Sequence, residues 1–239
     1  MQKPLGVIFD LGGTVLHQET FDPVAGNRRL LEFVADAHGL TPEAVQDAAD
    51  DISREIDRFR DEYMVEFSVQ AFQKLLYETL SVKFTIGPAE AEREFWRAAV
   101  SLTPTEGIFE VLDMLAANRI QTGVLSNTAF SGAVLEEELA RHNLAHRFAF
   151  VVTSADYGFR KPNPRIFKAA VNKMNLPPDR VWFVGDKPEY DIKGAVNAGL
   201  CAVWYNPENR PGAGDYDCLE VKSWREFMER LRPLLTEKI

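Results

Sequence analysis

The fold is decided by a ten-residue stretch near the start of the chain, Gly6-Val7-Ile8-Phe9-Asp10-Leu11-Gly12-Gly13-Thr14-Val15. Its apolar run is typical of a buried parallel strand, which is apolar on both faces. Asp10 ends the run, so this carboxylate is expected just past the carboxyl end of a central strand, where open α/β sheets place their ligand crevice. The two glycines permit positive φ angles and close backbone approach to a ligand. A strand that simply ends in an Asx turn is the alternative.

The composition is that of an ordinary globular chain with an acidic surface. The 239 residues are 46% hydrophobic and 26% charged, with a net charge of -9. This charge argues against binding to nucleic acid or to an anionic membrane, and no apolar run is long enough to span a bilayer. The first strand follows the N-terminus directly, without a signal-peptide pattern. Cys201 and Cys218 form no metal or redox motif, so we expect two buried thiols and a cytoplasmic protein.

Residues 17–100 predict helices and no strand. Leu30, Leu31, Val34 and Ala37 recur at helical spacing, and Gly39 ends the run. Three further amphipathic helices follow, and their first residues are marked by a cap or a proline at Thr41-Pro42, Ser68 and Gly87-Pro88. Four such helices predict a small helical bundle.

From Thr103 onward helices alternate with short apolar runs, which is the sign of βαβ units. Four more strands are predicted, at residues 120–125, 148–152, 181–184 and 200–204. The first strand then belongs with these later strands, and the bundle is an insertion between them. The predicted fold is therefore α/β, with a Rossmann-like parallel sheet core at residues 1–16 and 101–239 and an inserted α-helical domain at residues 17–100.

Polar residues follow the carboxyl ends of these strands and can converge on one crevice: Asp10, Ser126-Asn127, Lys161 and Asp186. Such a set suits phosphoryl transfer, because a carboxylate can act as a covalent nucleophile and form an aspartyl-phosphate. Backbone N–H groups of the two glycines would form a nest for phosphate oxygens, and Lys161 would offset the negative charge. Two carboxylates suit Mg²⁺, with Asp191 holding that metal shell from behind.

Each of these residues also has a simpler interpretation. Ser126 and Asn127 could cap the next helix, and Lys161 could be a surface lysine. Asp186 could form an Asx turn, and Asp191 could be a charge on a helix surface. The functional interpretation is favoured because the whole set occurs in order, each member at a strand end.

This ordered set resembles the haloacid dehalogenase-like hydrolase superfamily. The segment from Asp10 to Thr14 resembles the first family motif, Asp-x-Asp-x-Thr, and Ser126-Asn127 matches the second. Lys161 within Arg160-Lys161-Pro162 matches the third, and Gly185-Asp186 followed by Asp191 matches the fourth. The helical insertion sits where the family has its helical cap, so the resemblance covers the whole chain.

The resemblance implies a Mg²⁺-dependent phosphatase that hydrolyses a small phosphorylated metabolite through an aspartyl-phosphate intermediate. It makes Asp10 the nucleophile and Lys161 its catalytic partner. It assigns Mg²⁺ to the Asp10 carboxylate, the Gly12 backbone carbonyl and Asp186. It assigns the phosphate group to Gly13, Thr14, Ser126, Asn127 and Lys161.

One position departs from the family pattern. Gly12 stands where the family has a second aspartate, which protonates the leaving group and activates the attacking water. His17 or Glu19, from the connection to the cap, or the substrate itself could supply this function instead. The two connections, residues 17–21 and 101–105, are expected to form a hinge.

The departure leaves two alternatives open. A 2-haloacid dehalogenase would need no acid, since a halide leaves without a proton, but the family's dehalogenases work without metal and lack the acidic Gly-Asp. The other alternative is a catalytically weak or inactive pseudoenzyme that binds a phosphorylated ligand. Retention of Asp10, Lys161 and Asp186 favours the phosphatase. The substrate and the oligomeric state do not follow from the sequence.

Overall fold

A computed structural model describes residues 2–212 and 216–236. Its strands and helices alternate through most of the chain. In chain order they are β1 (Gly6–Phe9), β2 (Leu16–Phe21), α1 (Pro23–Leu31), α2 (Pro42–Tyr63), α3 (Val69–Thr79), α4 (Pro88–Ala99), β3 (Val100–Pro104), α5 (Ile108–Ala117), β4 (Gln121–Ser126), α6 (Gly132–Arg141), β5 (Val151–Thr153), α7 (Ser154–Tyr157), α8 (Pro164–Met174), β6 (Val181–Gly185), α9 (Lys193–Asn197), β7 (Cys201–Tyr205), β8 (Cys218–Val221) and α10 (Trp224–Thr236). Within these ranges, no helix is long and apolar enough to cross a membrane.

Six strands of the described chain form one sheet in the order β5-β4-β1-β6-β7-β8, and every neighbouring pair is parallel. All four residues of β1 are buried, since β1 pairs with β4 on one side and β6 on the other. Val7 and Phe9 pack into the core formed with α5, α6 and α10, whereas Ile8 packs with α8 and α9 on the opposite face. The predicted parallel α/β core is confirmed.

The sixth strand, β8, was absent from the sequence prediction. It is four residues long and lies at the sheet edge beside β7, with only Val221 fully buried. Such a short, half-exposed strand carries too weak an apolar pattern to be recognised. The prediction of two buried thiols is wrong as well, because Cys201 and Cys218 are free and only partly buried.

The helical insertion differs from the prediction at its edges. The two connections pair with each other as the antiparallel ribbon β2–β3, with an irregularity between Gln18 and Thr20. The prediction that residues 17–100 contain no strand is therefore wrong at this end, because cross-strand hydrogen bonds join two segments that are distant in sequence.

The first helix of the insertion is also shorter than predicted, and it ends at Leu31 instead of near Gly39. Beyond it, Val34 forms an antiparallel bridge with Phe84. Phe33 O accepts a hydrogen bond from Thr85 N at 2.7 Å. These long-range backbone hydrogen bonds replace the helical ones, so the apolar spacing as far as Ala37 did not extend the helix.

A substitution at Phe227 can measure how much α10 contributes to the stability of the core. Its ring is fully buried, with ring centroids 6.0 Å from Trp182 and 5.6 Å from Trp224. We expect Phe227→Ala to lower the free energy of unfolding by about 3–5 kcal/mol, through lost burial and the cavity left behind. Urea denaturation checks this, with Phe109→Ala on α5 as control, since Phe109 is 37% exposed. Equal losses in both variants would contradict the packing described.

Candidate active site

The predicted strand-end residues share one cavity of about 790 Å³ at the carboxyl edge of the sheet. Asp10 follows β1, Ser126 ends β4 and Asp186 follows β6. Lys161 reaches the cavity from the segment that precedes α8, and Asp191 from the single π-helical turn at Pro188–Ile192. Parallel strands thus bring together residues that are far apart in the sequence.

Lys161 lies at the centre of the charged groups and is 2% exposed. Its Nζ is 2.5 Å from Asp10 Oδ1 and 2.7 Å from Asp191 Oδ1, and it donates a hydrogen bond to Leu125 O at 3.0 Å. Burial opposes the positive charge, but the two carboxylates outweigh it and hold the pKa of Lys161 above its usual value. Lys161 is therefore a buried ammonium group.

Asp10 has three charged neighbours. Burial raises its pKa to about 7; Lys161 opposes this rise, whereas Asp191 and Asp186 add to it. Burial also raises the pKa of Asp186, together with Asp191, against the opposing charges of Lys187 and Arg210. Without a further cation, the cluster holds more negative charge than one lysine can neutralise.

The donor set fits a hard divalent cation. Asp10, Asp186 and Asp191 each offer a carboxylate oxygen, and these atoms all lie within 4.8 Å of one another. Asp186 Oδ1 is buried and has no hydrogen-bond partner among the described residues. An unpartnered buried carboxylate oxygen is costly unless a cation satisfies it, and Mg²⁺ prefers one or two carboxylates plus water and phosphate oxygens.

Two glycines allow this cluster to form. At Gly13, φ is +82°, and a Cβ atom would lie 2.8 Å from Asp186 Oδ2. At Gly185, a Cβ atom would lie 2.4 Å from Asp191 Cγ. Gly12 differs from both, because a Cβ atom there would meet nothing within 4 Å, and unlike Gly13 its φ lies outside the left-handed region. Only Gly13 of the first motif uses the positive φ that the paired glycines led us to expect.

The residues predicted to bind phosphate have distinct surroundings. Ser126 lines the cavity, whereas Thr14 is fully buried behind Asp10, with Oγ1 3.5 Å from Asp10 Oδ2. Gly13 N donates a hydrogen bond to Leu16 O at 2.8 Å, so it is already engaged within the turn. These positions favour Ser126 for direct phosphate contact and give Thr14 a role in holding Asp10.

Asn127 is engaged with the backbone of Lys161. Its Oδ1 accepts a hydrogen bond from Lys161 N at 2.7 Å, and its Nδ2 donates to Lys161 O at 2.9 Å. Both polar groups of the side chain thus hold the backbone of Lys161. This contact accounts for the asparagine after Ser126. The sequence had instead led us to expect that Asn127 binds the phosphate group.

Arg210 was missed by the sequence analysis. Its Nη2 lies 3.2 Å from Asp186 Oδ2 and donates to Asp186 O at 2.9 Å. The fully buried Asn206 holds the loop, since its Oδ1 accepts from Arg210 N at 2.8 Å. This loop follows the carboxyl end of β7, so the strand-end rule that pointed to Asp186 could have found it.

The two candidates for the missing acid are placed differently. His17, on β2, is exposed and lines the cavity. Glu19 Oε1 accepts a hydrogen bond from Thr103 Oγ1 at 2.7 Å across the ribbon. This arrangement favours His17 over Glu19 as the group that could reach a substrate.

One class of hydrolase is defined by three features found here. These are a Rossmann-like sheet, a buried Asp–Lys–Asp cluster at its strand ends and a helical insertion after the first strand. The family profile described as haloacid dehalogenase-like hydrolase matches residues 5–199, and the chain belongs to this family.

Relatives of this chain include both phosphatases and a dehalogenase. It is 39% identical over 109 residues to a glyceraldehyde 3-phosphate phosphatase of Methanothermobacter thermautotrophicus. The matched stretch covers 45% of this chain and 46% of that protein. The chain is 25% identical over 230 residues to an (S)-2-haloacid dehalogenase of Pseudomonas fluorescens, covering 93% and 91%. The crystal structure of a HAD phosphatase from Thermococcus onnurineus shares the fold, with a TM-score of 0.65, 20% identity and coverage of 95% and 97%. The chain spans 30–59% of the length of three curated relatives with phosphatase-type names.

Replacing Lys161 should leave the acidic cluster without its buried cation. We expect Lys161→Met to lower the free energy of unfolding by about 3–5 kcal/mol near neutral pH. The pKa of Asp10 is about 7 with Lys161 present, and the variant loses the lysine that opposes this rise, so the folded variant binds more protons than the unfolded chain from about pH 4 to above pH 7. Its stability should therefore fall as pH rises through this window.

Urea unfolding of metal-free protein at pH 5 and pH 7.5 measures this difference. Lys168→Met is the matched control, because Lys168 lies exposed on α8. A loss for Lys161→Met no greater than that of the control, at both pH values, would refute the buried ion pairs.

Proposed function

We propose that the protein is a Mg²⁺-dependent phosphatase that hydrolyses a small phosphorylated metabolite through an aspartyl-phosphate on Asp10. The observation that carries this proposal is the buried Asp10–Lys161 pair at 2.5 Å beside the unpartnered oxygen of Asp186. Membership of the family and the relatives with phosphatase names support it. The acidic composition and the absence of an apolar span are consistent with a cytoplasmic enzyme that acts on a small molecule.

In the first step, a carboxylate oxygen of ionised Asp10 attacks the phosphorus atom. The bond between phosphorus and the ester oxygen breaks, and its electron pair leaves with that oxygen. In the second step, water attacks the phosphorus, the bond to Asp10 breaks and inorganic phosphate leaves. The first step needs a proton for the leaving oxygen, and the second needs a base for the water.

The surrounding residues have separate tasks in these steps. The Lys161 ammonium orients Asp10 and offsets the charge that a phosphate brings, and the Ser126 hydroxyl donates to a phosphate oxygen. Asp10, Asp186 and the Gly12 carbonyl would hold Mg²⁺, which when bound neutralises charge on phosphate and nucleophile. Asp191, which the sequence analysis placed behind the metal, holds Lys161 directly at 2.7 Å.

A screen of phosphorylated metabolites with Mg²⁺ tests the proposal, with Asp10→Asn as the blank. We expect turnover that disappears in excess chelator, and Asp186→Asn should strongly raise the Mg²⁺ concentration required, because a charged ligand is lost. The measurement is phosphate release as a function of Mg²⁺. Full activity in excess chelator would reject this function.

A 2-haloacid dehalogenase is the second candidate, favoured by the match over 93% of the chain and by the missing acid at Gly12. Halide displacement by Asp10 would need no proton donor. Asp186 and its unpartnered oxygen disfavour it, since they suit a cation. Chloride release from a 2-haloacid, without metal, would identify this activity. No turnover of either class would leave a pseudoenzyme that binds a phosphorylated ligand.

Gly12 should limit the hydrolysis of alkyl phosphates. General acid–base assistance is worth about 10²- to 10⁴-fold, and an aryl leaving group needs it least. We therefore expect the wild type to prefer aryl over alkyl phosphates and to release a burst of aryl alcohol before slower turnover. Since a Cβ atom at Gly12 has free space, Gly12→Asp should accelerate the alkyl substrates and shrink the burst.

Gly12→Ala is the matched control, because it adds the Cβ atom without the carboxylate. Stopped-flow and steady-state rates with 4-nitrophenyl phosphate and an alkyl phosphate provide the measurement. If the wild type cleaves both esters equally fast and folded Gly12→Asp shows unchanged rates, another group already supplies the proton. His17→Ala would then identify or exclude the histidine that lines the cavity.

A further inference from the structure

The segment between α2 and α3 joins the helical cap to the core immediately before Lys161. Met64 O accepts a hydrogen bond from Arg160 N at 2.8 Å, and Glu66 N donates to Gly158 O at 3.0 Å. Val65, between them, forms an antiparallel bridge with Phe159. The cap therefore contacts the core backbone next to the catalytic lysine, at a place remote in sequence from the β2–β3 ribbon.

The side chain of Glu66 is completely buried at this junction, with 0% of it exposed. Its Oε1 lies 2.9 Å from Arg60 Nε, a cap residue on α2, and its Oε2 lies 3.0 Å from Arg160 Nη1. Ser154 Oγ donates to the same Oε2 at 2.7 Å. The contacts from Arg160 and Ser154 are charge-assisted hydrogen bonds, which are the strong ones, and Arg60 adds an ion pair; a carboxylate buried this deeply needs such partners.

These contacts reach both loops that hold the phosphate-side residues. Arg160 directly precedes Lys161. Ser154 Oγ accepts a hydrogen bond from Thr128 N at 2.8 Å, and Thr128 directly follows Asn127, whose side chain holds the Lys161 backbone. Glu66 thus contacts Arg160, the residue directly before Lys161. Through Ser154 and Thr128 it is also linked to Asn127, which holds the Lys161 backbone.

We propose that Glu66 is a positioning residue, which fixes the Lys161 and Asn127 loops from the cap so that Lys161 Nζ stays on Asp10. The inference rests on the proposed function for its kinetic consequence. A displacement of 1 Å at a reacting group can cost about 10²-fold in rate. The cap then contributes to the chemical step itself, beyond covering the crevice.

A second buried cap carboxylate provides a matched control. Glu92 is 1% exposed, and its Oε1 accepts from Ser131 N at 2.6 Å while its Oε2 accepts from Ser131 Oγ at 2.9 Å. It also joins cap to core, but Ser131 precedes α6 and does not adjoin Lys161. A merely structural role for buried cap carboxylates would make the two positions equivalent.

The test compares Glu66→Gln and Glu92→Gln in the full chain. We expect Glu66→Gln to lower kcat by about 10²-fold and to weaken binding of tungstate, a phosphate analogue, with the Mg²⁺ requirement unchanged. Glu92→Gln should leave all three near wild type. Equal kcat and equal tungstate affinity in the two folded variants would overturn the proposal.

Two further measurements keep the inference testable on its own. If the wild type hydrolyses no phosphate ester, the proposed function fails, but amide hydrogen exchange of residues 158–163 still decides the role of Glu66. Faster exchange in Glu66→Gln and not in Glu92→Gln supports the positioning role, and unchanged exchange in Glu66→Gln rejects it.

If Glu66→Gln does not fold, Ser154→Ala is the second variant, because it removes one hydrogen-bond partner of Glu66 and keeps both ion pairs. It should give a smaller loss in the same direction, and no loss would count against the proposal.

Discussion

The rest of the structure depends on the contact between one buried ammonium and two buried carboxylates. Lys161 Nζ lies between Asp10 and Asp191, and leaving any of these charges unpaired in the interior would cost several kcal/mol. To form this contact, the end of β1 must lie beside the end of β6, and the segment before α8 must carry Lys161 to this place along the end of β4, where Asn127 and Leu125 O hold it. Asp186 adds a third carboxylate, which Arg210 contacts, so among the described residues three carboxylates face two cationic side chains in ion-pair contact. The same contact therefore stabilises the core, and under the proposed function it also leaves a place for a divalent cation and a phosphate.

The core of the fold was predictable because its signals are local. The apolar run of β1 and the glycines and carboxylates at strand ends are short patterns that need no partner to be read. The ribbon β2–β3, the early end of α1 and the edge strand β8 depend on pairing with distant segments. Val34 illustrates this difference, since its spacing suits a helix, but its bridge to Phe84 decides its conformation. Such preferences are overridden by tertiary hydrogen bonds that no local pattern encodes.

For the candidate site, position along a strand identified the residues but not their contacts. Asp10, Lys161 and Asp186 were found because strand ends converge in a parallel sheet. Sequence could not show that Asn127 holds the lysine backbone or that Gly12 has room for a side chain. Glu66 was missed for a physical reason: it lies just after the charge-rich helix α2, in a region where carboxylates are ordinarily solvated. Its complete burial depends on partners distant from one another in the sequence, because Arg60 approaches it from α2 and Arg160 from the segment before α8.

The central position of β1 has a consequence for the order in which the chain leaves the ribosome. β1 is synthesised well before its neighbours β4 and β6, and 151 residues separate Asp10 from Lys161. At roughly 5–20 residues per second, this interval is on the order of 10 s. Until β4 (Gln121–Ser126) has been made, β1 lacks both partners, whereas the helices of the insertion can already pack on one another. The helical insertion can thus form before the sheet is complete, and β1 is the segment that a chaperone would shield.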